Sequence, residues 1–185
     1  MITCGTWVLV NQINAHLDAN KKFDSTLCSV LDNIPNDVVE DLCSIRCTPN
    51  SGYERILLHA DNTRDYAVYI LNWTNGASSP IHDHPSNGCC MKVLVGQVCE
   101  EMYSYKHSVN DEVYTKFDVC RKGPPTLYKP SNCAIFISNQ LGAHKITEVS
   151  QTPKGSITLH IYSPSQVYTC LGNFQVYETE STDVN

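Results

Sequence analysis

The sequence lacks a long apolar run. In its 185 residues no hydrophobic stretch approaches the roughly 18 residues that suggest a membrane-spanning helix. The stretch from Thr6 to Phe23 mixes Asn, Gln, His and Asp with its apolar residues, which does not fit the core of a signal peptide. We therefore expect a cytoplasmic protein that has no membrane partner.

Positive charge is also scarce. The chain has 13 Lys and Arg against 19 Asp and Glu, which gives a formal net charge of −6. Nucleic acids and anionic membranes are bound through a basic face, so this balance argues against both as partners. We expect a small-molecule partner instead.

The ten cysteines lack the paired CxxC spacing of a structural zinc site. Cys43 and Cys47 are four residues apart, and Cys89 and Cys90 are adjacent. Cytoplasmic thiols are kept reduced, so we expect no disulfide framework and interpret most cysteines as small buried hydrophobic residues. A structural zinc barrel stays open as a less favoured alternative.

Residues 1–50 have the hydrophobic spacing of helices. One predicted helix face carries Trp7, Val10, Asn14 and Leu17. Asn36, after Pro35, is predicted to cap the last of these helices.

The rest of the chain alternates apolar and polar residues in short runs, as strands do. The predicted strands are Arg55–His59, Tyr66–Trp73, Met91–Val95, Val98–Tyr105, Thr126–Tyr128, Ala134–Ile137, Lys145–Val149, Ile157–Tyr162 and Phe174–Tyr177. Close-spaced turn signals between them favour a jelly roll over βαβ units. We predict one mainly β domain over residues 1–185, with a β-barrel in residues 53–178 after the N-terminal helices.

The tripeptide His82-Asp83-His84 is the first candidate for chemistry. In a strand, residues i and i+2 point to one side about 7 Å apart, which lets two imidazoles converge on one metal ion. Neutral imidazole suits Fe, Zn, Cu and Ni. An isolated HxH pair, however, is more often a surface or packing feature than a ligand pair.

The residues around the pair add to its weight. They read Gly76-x5-His82-x-His84-x4-Cys89-x6-Gly96, which resembles the first motif of the cupin family. A Glu usually stands where this chain has Cys89, so the usual carboxylate ligand is missing.

In the second cupin motif, His144 would supply the third ligand, and Glu148 replaces the usual Asn. The resemblance thus implies a cupin-type barrel with a three-histidine site. Three neutral nitrogens leave the full 2+ charge on the ion, which suits an anionic thiolate substrate.

Cys89 in the carboxylate position makes the chain resemble the cysteine dioxygenases. Five separated segments carry this likeness: Tyr53-Glu54-Arg55, His82-Asp83-His84, Cys89 with Met91-Lys92-Val93-Leu94-x-Gly96, Leu141-Gly142-Ala143-His144, and Leu159-His160-Ile161-Tyr162-Ser163-Pro164. The resemblance implies Fe(II) on His82, His84 and His144. It also implies a thioether cross-link between Cys89 and Tyr162, whereas Cys90 points to the opposite face of its strand.

Two strand faces carry the remaining predicted site residues. Thr158, His160 and Tyr162 alternate, so their side chains share one face and could pass hydrogen bonds from hydroxyl to imidazole to phenol. The family relay usually begins with Ser, and the extra methyl of Thr158 restricts its rotamer. The other interpretation is a buried histidine and a tyrosine with purely structural roles.

Tyr53 and Arg55 also share a face. The planar guanidinium of Arg55 can grip a carboxylate with two hydrogen bonds, and the resemblance makes it the anchor for the substrate carboxylate. A surface arginine whose stem lies on the barrel is the alternative.

The resemblance implies a dioxygenase that converts L-cysteine and O2 to cysteine sulfinic acid, and we expect the protein to be a monomer. L-Cysteine would bind Fe(II) through its thiolate and amine, leave one position for O2, and need no organic cofactor. Two alternatives stay open: a dioxygenase for a 3-mercapto acid, and a non-catalytic cupin that binds a metal or small ligand.

Overall fold

A computed structural model describes residues 3–46, 52–108, 116–165 and 176–178. The first of these ranges is helical, as predicted. It contains α1 (Cys4–Asn20), a 3₁₀ turn (Ser25–Leu27), α2 (Cys28–Asp32) and α3 (Asn36–Ser44). No helix in the described ranges is both long and apolar enough to cross a membrane.

Helix α1 buries a stripe in which every fourth residue is apolar. Leu9, Ile13 and Leu17 lie on this stripe, and all three are buried. Trp7, which the sequence places on one face with Val10 and Leu17, lies outside this stripe, and its side chain is 54% exposed. Trp7 precedes Ile13 by six residues, which places it roughly 120° around the helix.

In the described ranges, ten strands follow the helices. They are β1 (Tyr53–Asp61), β2 (Tyr66–Trp73), β3 (Gly88–Val95), β4 (Val98–Ser108), β5 (Lys116–Arg121), β6 (Thr126–Tyr128), β7 (Ile135–Ile137), β8 (Ala143–Glu148), β9 (Ser156–Ser163) and β10 (Val176–Glu178). The mainly β architecture with N-terminal helices confirms the predicted fold class.

Two sheets form the barrel. The first has the strand order β1-β2-β9-β3-β7, and the second has the order β10-β5-β4-β6, with β8 also paired to β4. β9 pairs antiparallel with β2 on one side and with β3 on the other. Strands that are distant in sequence therefore lie side by side, as in a jelly roll.

The first sheet lies between the helices and the second sheet, so both of its faces are covered. Ile70 and Leu159 pack with the helical residues in one hydrophobic cluster, whereas Leu71 and Trp73 join Val98 of β4 in another. All eight residues of β9 are buried, since this strand is central in the first sheet. The second cluster lines the barrel interior.

Several local predictions were wrong. His82 and His84 do not lie in a regular strand: His82 forms an isolated bridge with His144, and His84 follows in an irregular segment before β3. Asn36 is the first helical residue of α3, and Pro35 occupies the N-cap.

Strand β5 was missed because its charged residues hide the alternation. Of the predicted strand Phe174–Tyr177, the first two residues lie outside the described ranges.

Gly155 precedes β9 at a turn that touches Trp73. Its φ is 63°, a conformation that favours glycine, and a Cβ atom there would stand 1.8 Å from the carbonyl oxygen of Trp73. The close approach holds the end of β2 against the start of β9.

Candidate metal centre

Three histidines from two segments meet at one end of the barrel. His82 and His144 bond reciprocally through their backbones, with each N–H 2.9 Å from the other residue's carbonyl oxygen. The backbone N–H of His84 donates to Asn139 Oδ1 at 2.8 Å. These contacts bring the ligand atoms of the three imidazoles within 4.8 Å of one another, so the predicted trio forms one cluster.

The outer hydrogen bonds fix which ring nitrogen faces inward. His82 Nδ1 lies 2.9 Å from the Pro80 carbonyl oxygen, and His144 Nδ1 lies 2.7 Å from Glu100 Oε1. Because these oxygens accept hydrogen bonds, both Nδ1 atoms carry the proton and both Nε2 atoms present a lone pair.

The facing nitrogens fit a metal ion. His144 Nε2 lies 3.1 Å from His82 Nε2 and 3.0 Å from His84 Nε2. Two unprotonated Nε2 atoms cannot satisfy each other, whereas a cation between them would. Burial lowers the pKa of all three imidazoles, which keeps them neutral and able to coordinate.

Glu100 lies behind His144, on the neighbouring strand. In the β4–β8 register Glu100 stands opposite Ile146, which makes it a diagonal neighbour of His144. Its other oxygen accepts a hydrogen bond from the Tyr128 hydroxyl at 3.1 Å. Burial raises the pKa of Glu100, whose residue is 5% exposed.

A small pocket opens beside the cluster. Its volume is about 80 Å³, and its lining includes the predicted residues Tyr53, Arg55, His82, His144, His160 and Tyr162. Since one water occupies about 10–15 Å³ by the same measure, the pocket suits a molecule of amino-acid size. His84, Thr158 and Cys89 are buried behind this lining.

Arg55 lies across the pocket from the histidines. Its guanidinium carbon stands 4.7 Å from the ring centre of Tyr69 and 5.3 Å from that of Tyr162. Among the described residues no carboxylate forms an ion pair with Arg55. The aromatic faces hold a cation whose hydrogen-bond donors are free for an anionic ligand.

A chain of hydrogen bonds leads to the Tyr162 hydroxyl. Trp73 Nε1–H donates to Thr158 Oγ1 at 2.8 Å, Thr158 Oγ1 lies 2.8 Å from His160 Nε2, and His160 Nδ1 lies 3.1 Å from the Tyr162 hydroxyl. The predicted shared face of these β9 side chains is therefore present.

The donor and acceptor in each hydrogen bond of this chain follow from the chemistry of Trp73 and Thr158. Trp73 can only donate, and buried Thr158 must find an acceptor for its own hydroxyl hydrogen. His160 Nε2 is that acceptor, so Nδ1 carries the ring proton and donates to the Tyr162 oxygen. Burial lowers the pKa of His160 and raises that of Tyr162. Both groups are thus neutral, and the Tyr162 proton is free to donate.

Cys89 and Tyr162 are direct partners across the β3–β9 pairing. Cys89 Sγ lies 3.7 Å from His160 Nδ1, the same ring nitrogen that contacts the Tyr162 hydroxyl. Burial raises the pKa of the Cys89 thiol. Cys90, in contrast, packs into the cluster under the helices, as its strand position predicts.

Two residues at the site escaped the sequence analysis. Trp73 was noted only as the end of a strand, and a sequence gives no sign that its indole N–H starts a hydrogen-bond chain. Glu100 is followed by Glu101, and two adjacent acids read as a solvated surface. The one available signal was the alternation of β4, which puts Glu100 on the face of buried Val98.

Fold and site together define a β-barrel protein built around a three-histidine group suited to a metal ion. The chain belongs to the cysteine dioxygenase type I family, whose family model matches residues 37–174.

Curated relatives named cysteine dioxygenase type 1 agree with this assignment. The human protein is 29% identical over 112 residues, and the rat and zebrafish (Danio rerio) proteins are 31% identical over the same length. Each alignment covers 60% of this chain and 51% of the relative. The chain thus spans about half the length of the curated relatives it matches.

Solved structures of cupin domains are also similar. A Cupin_2 domain of a transcriptional regulator from Enterobacter cloacae has a TM-score of 0.44 at 10% identity, covering 63% of this chain and all of that domain. A cupin 2 domain-containing protein from Halorhodospira halophila has a TM-score of 0.44 at 12% identity, covering 68% of this chain and 73% of its own.

Proposed function

We propose that this chain oxidises the thiol of free L-cysteine with O2 to cysteine sulfinic acid, at one Fe(II) held by His82, His84 and His144. The observation that carries the proposal is a single small pocket lined by two of these histidines, by Arg55 and by Tyr162. The curated relatives are named cysteine dioxygenase type 1. When bound, Fe(II) supplies the one-electron and O2 chemistry that the side chains lack.

Arg55 binds the carboxylate of the substrate. Its guanidinium offers two parallel N–H donors, which match the two oxygens of a carboxylate. Tyr53 supports this wall of the pocket by stacking on Trp73, with ring centroids 4.4 Å apart. The anchor orients the thiol of cysteine toward the histidines.

Tyr162 donates its hydroxyl proton into the pocket. The hydrogen bond from His160 Nδ1–H occupies the phenol oxygen as an acceptor, so the phenol acts as a donor toward the thiolate or the oxygen that reacts with it. Thr158 and Trp73 keep His160 in the tautomer that this role requires.

Cys89 and Tyr162 become joined by a thioether bond. The bond links Cys89 Sγ to a ring carbon of Tyr162, removes the thiol hydrogen and one ring hydrogen, and passes their two electrons to O2. Direct pairing across β3 and β9 favours Cys89 over Cys90. The bond would fix the phenol in its place beside His160.

The test is iron content and cysteine-dependent sulfinate formation measured on one preparation. We expect bound iron and one O2 consumed per sulfinate formed. Purified protein that holds iron yet forms no sulfinate would support a non-catalytic metal-binding cupin. Bound zinc and indifference to cysteine would support a structural zinc barrel.

A dioxygenase for a 3-mercapto acid is the nearest rival. The resemblance favours cysteine, because relatives that act on 3-mercapto acids tend to lack the cross-linking cysteine and to use an amide in the place of Arg55. Oxygen uptake with L-cysteine and with 3-mercaptopropionate separates the two, and faster turnover of 3-mercaptopropionate would overturn our choice. The cytoplasmic location and the monomeric state stay predictions.

A further inference from the structure

Glu100 is an acidic residue buried beside the histidine cluster without a basic partner. Among the described residues, no Lys or Arg forms an ion pair with Glu100; its contacts are His144 Nδ1 at 2.7 Å and the Tyr128 hydroxyl at 3.1 Å. Burying a carboxylate costs free energy unless a compensating charge lies close by. Both of its contacts are neutral groups, so neither of them compensates the negative charge of the Glu100 carboxylate.

A divalent cation on His144 Nε2 would provide that charge. The same imidazole would then bind the ion on one side and donate its Nδ1 proton to Glu100 on the other. A carboxylate in this place fixes the tautomer and orientation of the ring and makes its free nitrogen a stronger ligand.

The other two histidines have weaker support. His82 Nδ1 faces the neutral carbonyl of Pro80, and His84 Nδ1 is buried with no hydrogen-bond partner among the described residues. Cys89 stands where the cupin motif usually has a carboxylate ligand. The ligand set therefore lacks a negative charge. Glu100 carries one at a distance of one hydrogen bond from the ligand His144.

We infer that Glu100 is a positioning residue that tightens Fe(II) binding by holding His144 and by returning negative charge to the centre. The inference rests on the proposed iron site. In this role Glu100 supplies a negative charge that the three neutral histidine ligands do not carry.

The experiment measures Fe(II) affinity under anaerobic conditions by competition with a chromogenic chelator. We expect Glu100→Ala to weaken Fe(II) binding by about 10–100-fold, the usual effect of losing such a partner. Glu100→Gln keeps the shape of the side chain but not its charge, so its Fe(II) affinity should lie between that of Glu100→Ala and that of the wild type. The matched control is Glu101→Gln on the same strand, whose carboxylate pairs with Arg121 instead and whose affinity should stay within about 2-fold of wild type.

The midpoint potential of the bound iron separates positioning from mere packing. Removing a nearby negative charge disfavours Fe(III) over Fe(II), so Glu100→Gln should raise the potential, whereas Glu101→Gln should not. Because Gln fills the same space, this comparison holds even if Glu100→Ala fails to fold. Unchanged affinity and potential in Glu100→Gln would overturn the inference. Wild-type protein that binds no Fe(II) would instead overturn the proposed function.

Discussion

Arg55 reaches the pocket because of the pleat of β1. Alternate residues of a strand share a face, so Tyr53 and Arg55 both line the pocket while Glu54 points outward. The rings of Tyr69 and Tyr162 hold the guanidinium in place without neutralising it. Its predicted role depends on this uncompensated charge.

Replacing Arg55 should weaken substrate binding. For Arg55→Gln we expect the KM for L-cysteine to rise roughly 10–100-fold, because hydrogen bonds to a charged group contribute about 1.5–3 kcal/mol. Arg55→Lys should give an intermediate KM, since it keeps the charge and loses the planar fork. Steady-state oxygen uptake measures both values.

Cysteamine, which lacks a carboxylate, is the matched control for Arg55. Wild type and Arg55→Gln should oxidise it at similar rates. An unchanged KM for L-cysteine in Arg55→Gln would show that another group holds the carboxylate.

Thr158 joins Trp73 to His160, so its hydroxyl matters more than its methyl. Thr158→Val should lower the free energy of unfolding by about 1–3 kcal/mol, because it leaves a buried donor and a buried acceptor unpaired. It should also lower kcat, since His160 loses the bond that fixes its tautomer. Urea unfolding and initial rates measure the two effects.

Thr158→Ser keeps the hydroxyl and serves as the control. We expect its stability and kcat to stay near the wild-type values. A Thr158→Val protein with wild-type kcat would mean that the hydrogen-bond chain has a structural role alone.

At the scale of elements, the pairing of β3 with β9 favours Cys89 as the cysteine of the proposed cross-link. Cys89 is opposite Tyr162, whereas Cys90 is opposite Ile161 and faces the helices. After exposure to iron, cysteine and O2, the intact mass should fall by the mass of two hydrogens. The loss should resist thiol reductants, because a thioether is not a disulfide.

Paired alanine variants test this assignment. Cys89→Ala should abolish the mass loss, and Cys90→Ala should retain it. The reverse pattern would assign the cross-link to Cys90 and contradict the register.

Glu148, at the end of β8, connects two loops and the start of β9 through its carboxylate. It accepts hydrogen bonds from Gly76 N–H at 2.9 Å before the site, from Ser150 N–H at 2.9 Å after β8, and from the Ser156 hydroxyl at 2.8 Å in β9. Burial opposes its ionisation, but the hydrogen bonds from Ser150, Gly76 and Ser156 outweigh burial and lower the pKa of Glu148.

A lowered pKa in the folded state makes Glu148 stabilising above its unfolded pKa of about 4.3, and this stabilisation is lost as pH falls through the folded pKa. Glu148→Gln should therefore be less stable than wild type at pH 7, and the difference should narrow below about pH 4.3. Urea unfolding across this range measures it. A difference that stays constant with pH would assign the effect to shape instead of charge.

The sequence predicted the secondary-structure elements better than it predicted the tertiary contacts between them. All nine predicted strands overlap observed strands, namely β1 to β4 and β6 to β10, because alternation is a local signal. The bridge between His82 and His144 and the contact of Glu100 with His144 join residues more than forty positions apart. Such contacts depend on which distant strands become neighbours, which the alternation within a single strand does not specify.

Considered as a whole, the molecule should be more stable with its metal than without it. A ligand that binds only the folded state stabilises it by about 2.7 kcal/mol at a free concentration one hundred times its Kd. For a chain of this size, that corresponds to an increase of roughly 5–10 °C in Tm. Differential scanning calorimetry with Fe(II), and again after a chelator is added, measures the shift.

His144→Ala is the control for this stabilisation. It removes one of three ligands, so its Tm should respond little to Fe(II) or to the chelator. An equal Tm shift in this variant would place the stabilising metal elsewhere on the protein.

The turn at Gly155 contacts Trp73, the first residue of the hydrogen-bond chain that leads to the pocket. Any side chain there would displace the Trp73 carbonyl, and Trp73 begins the hydrogen-bond chain that ends at Tyr162. In a genetic selection for loss of cysteine oxidation, substitutions of Gly155 should therefore be recovered together with substitutions of the pocket residues.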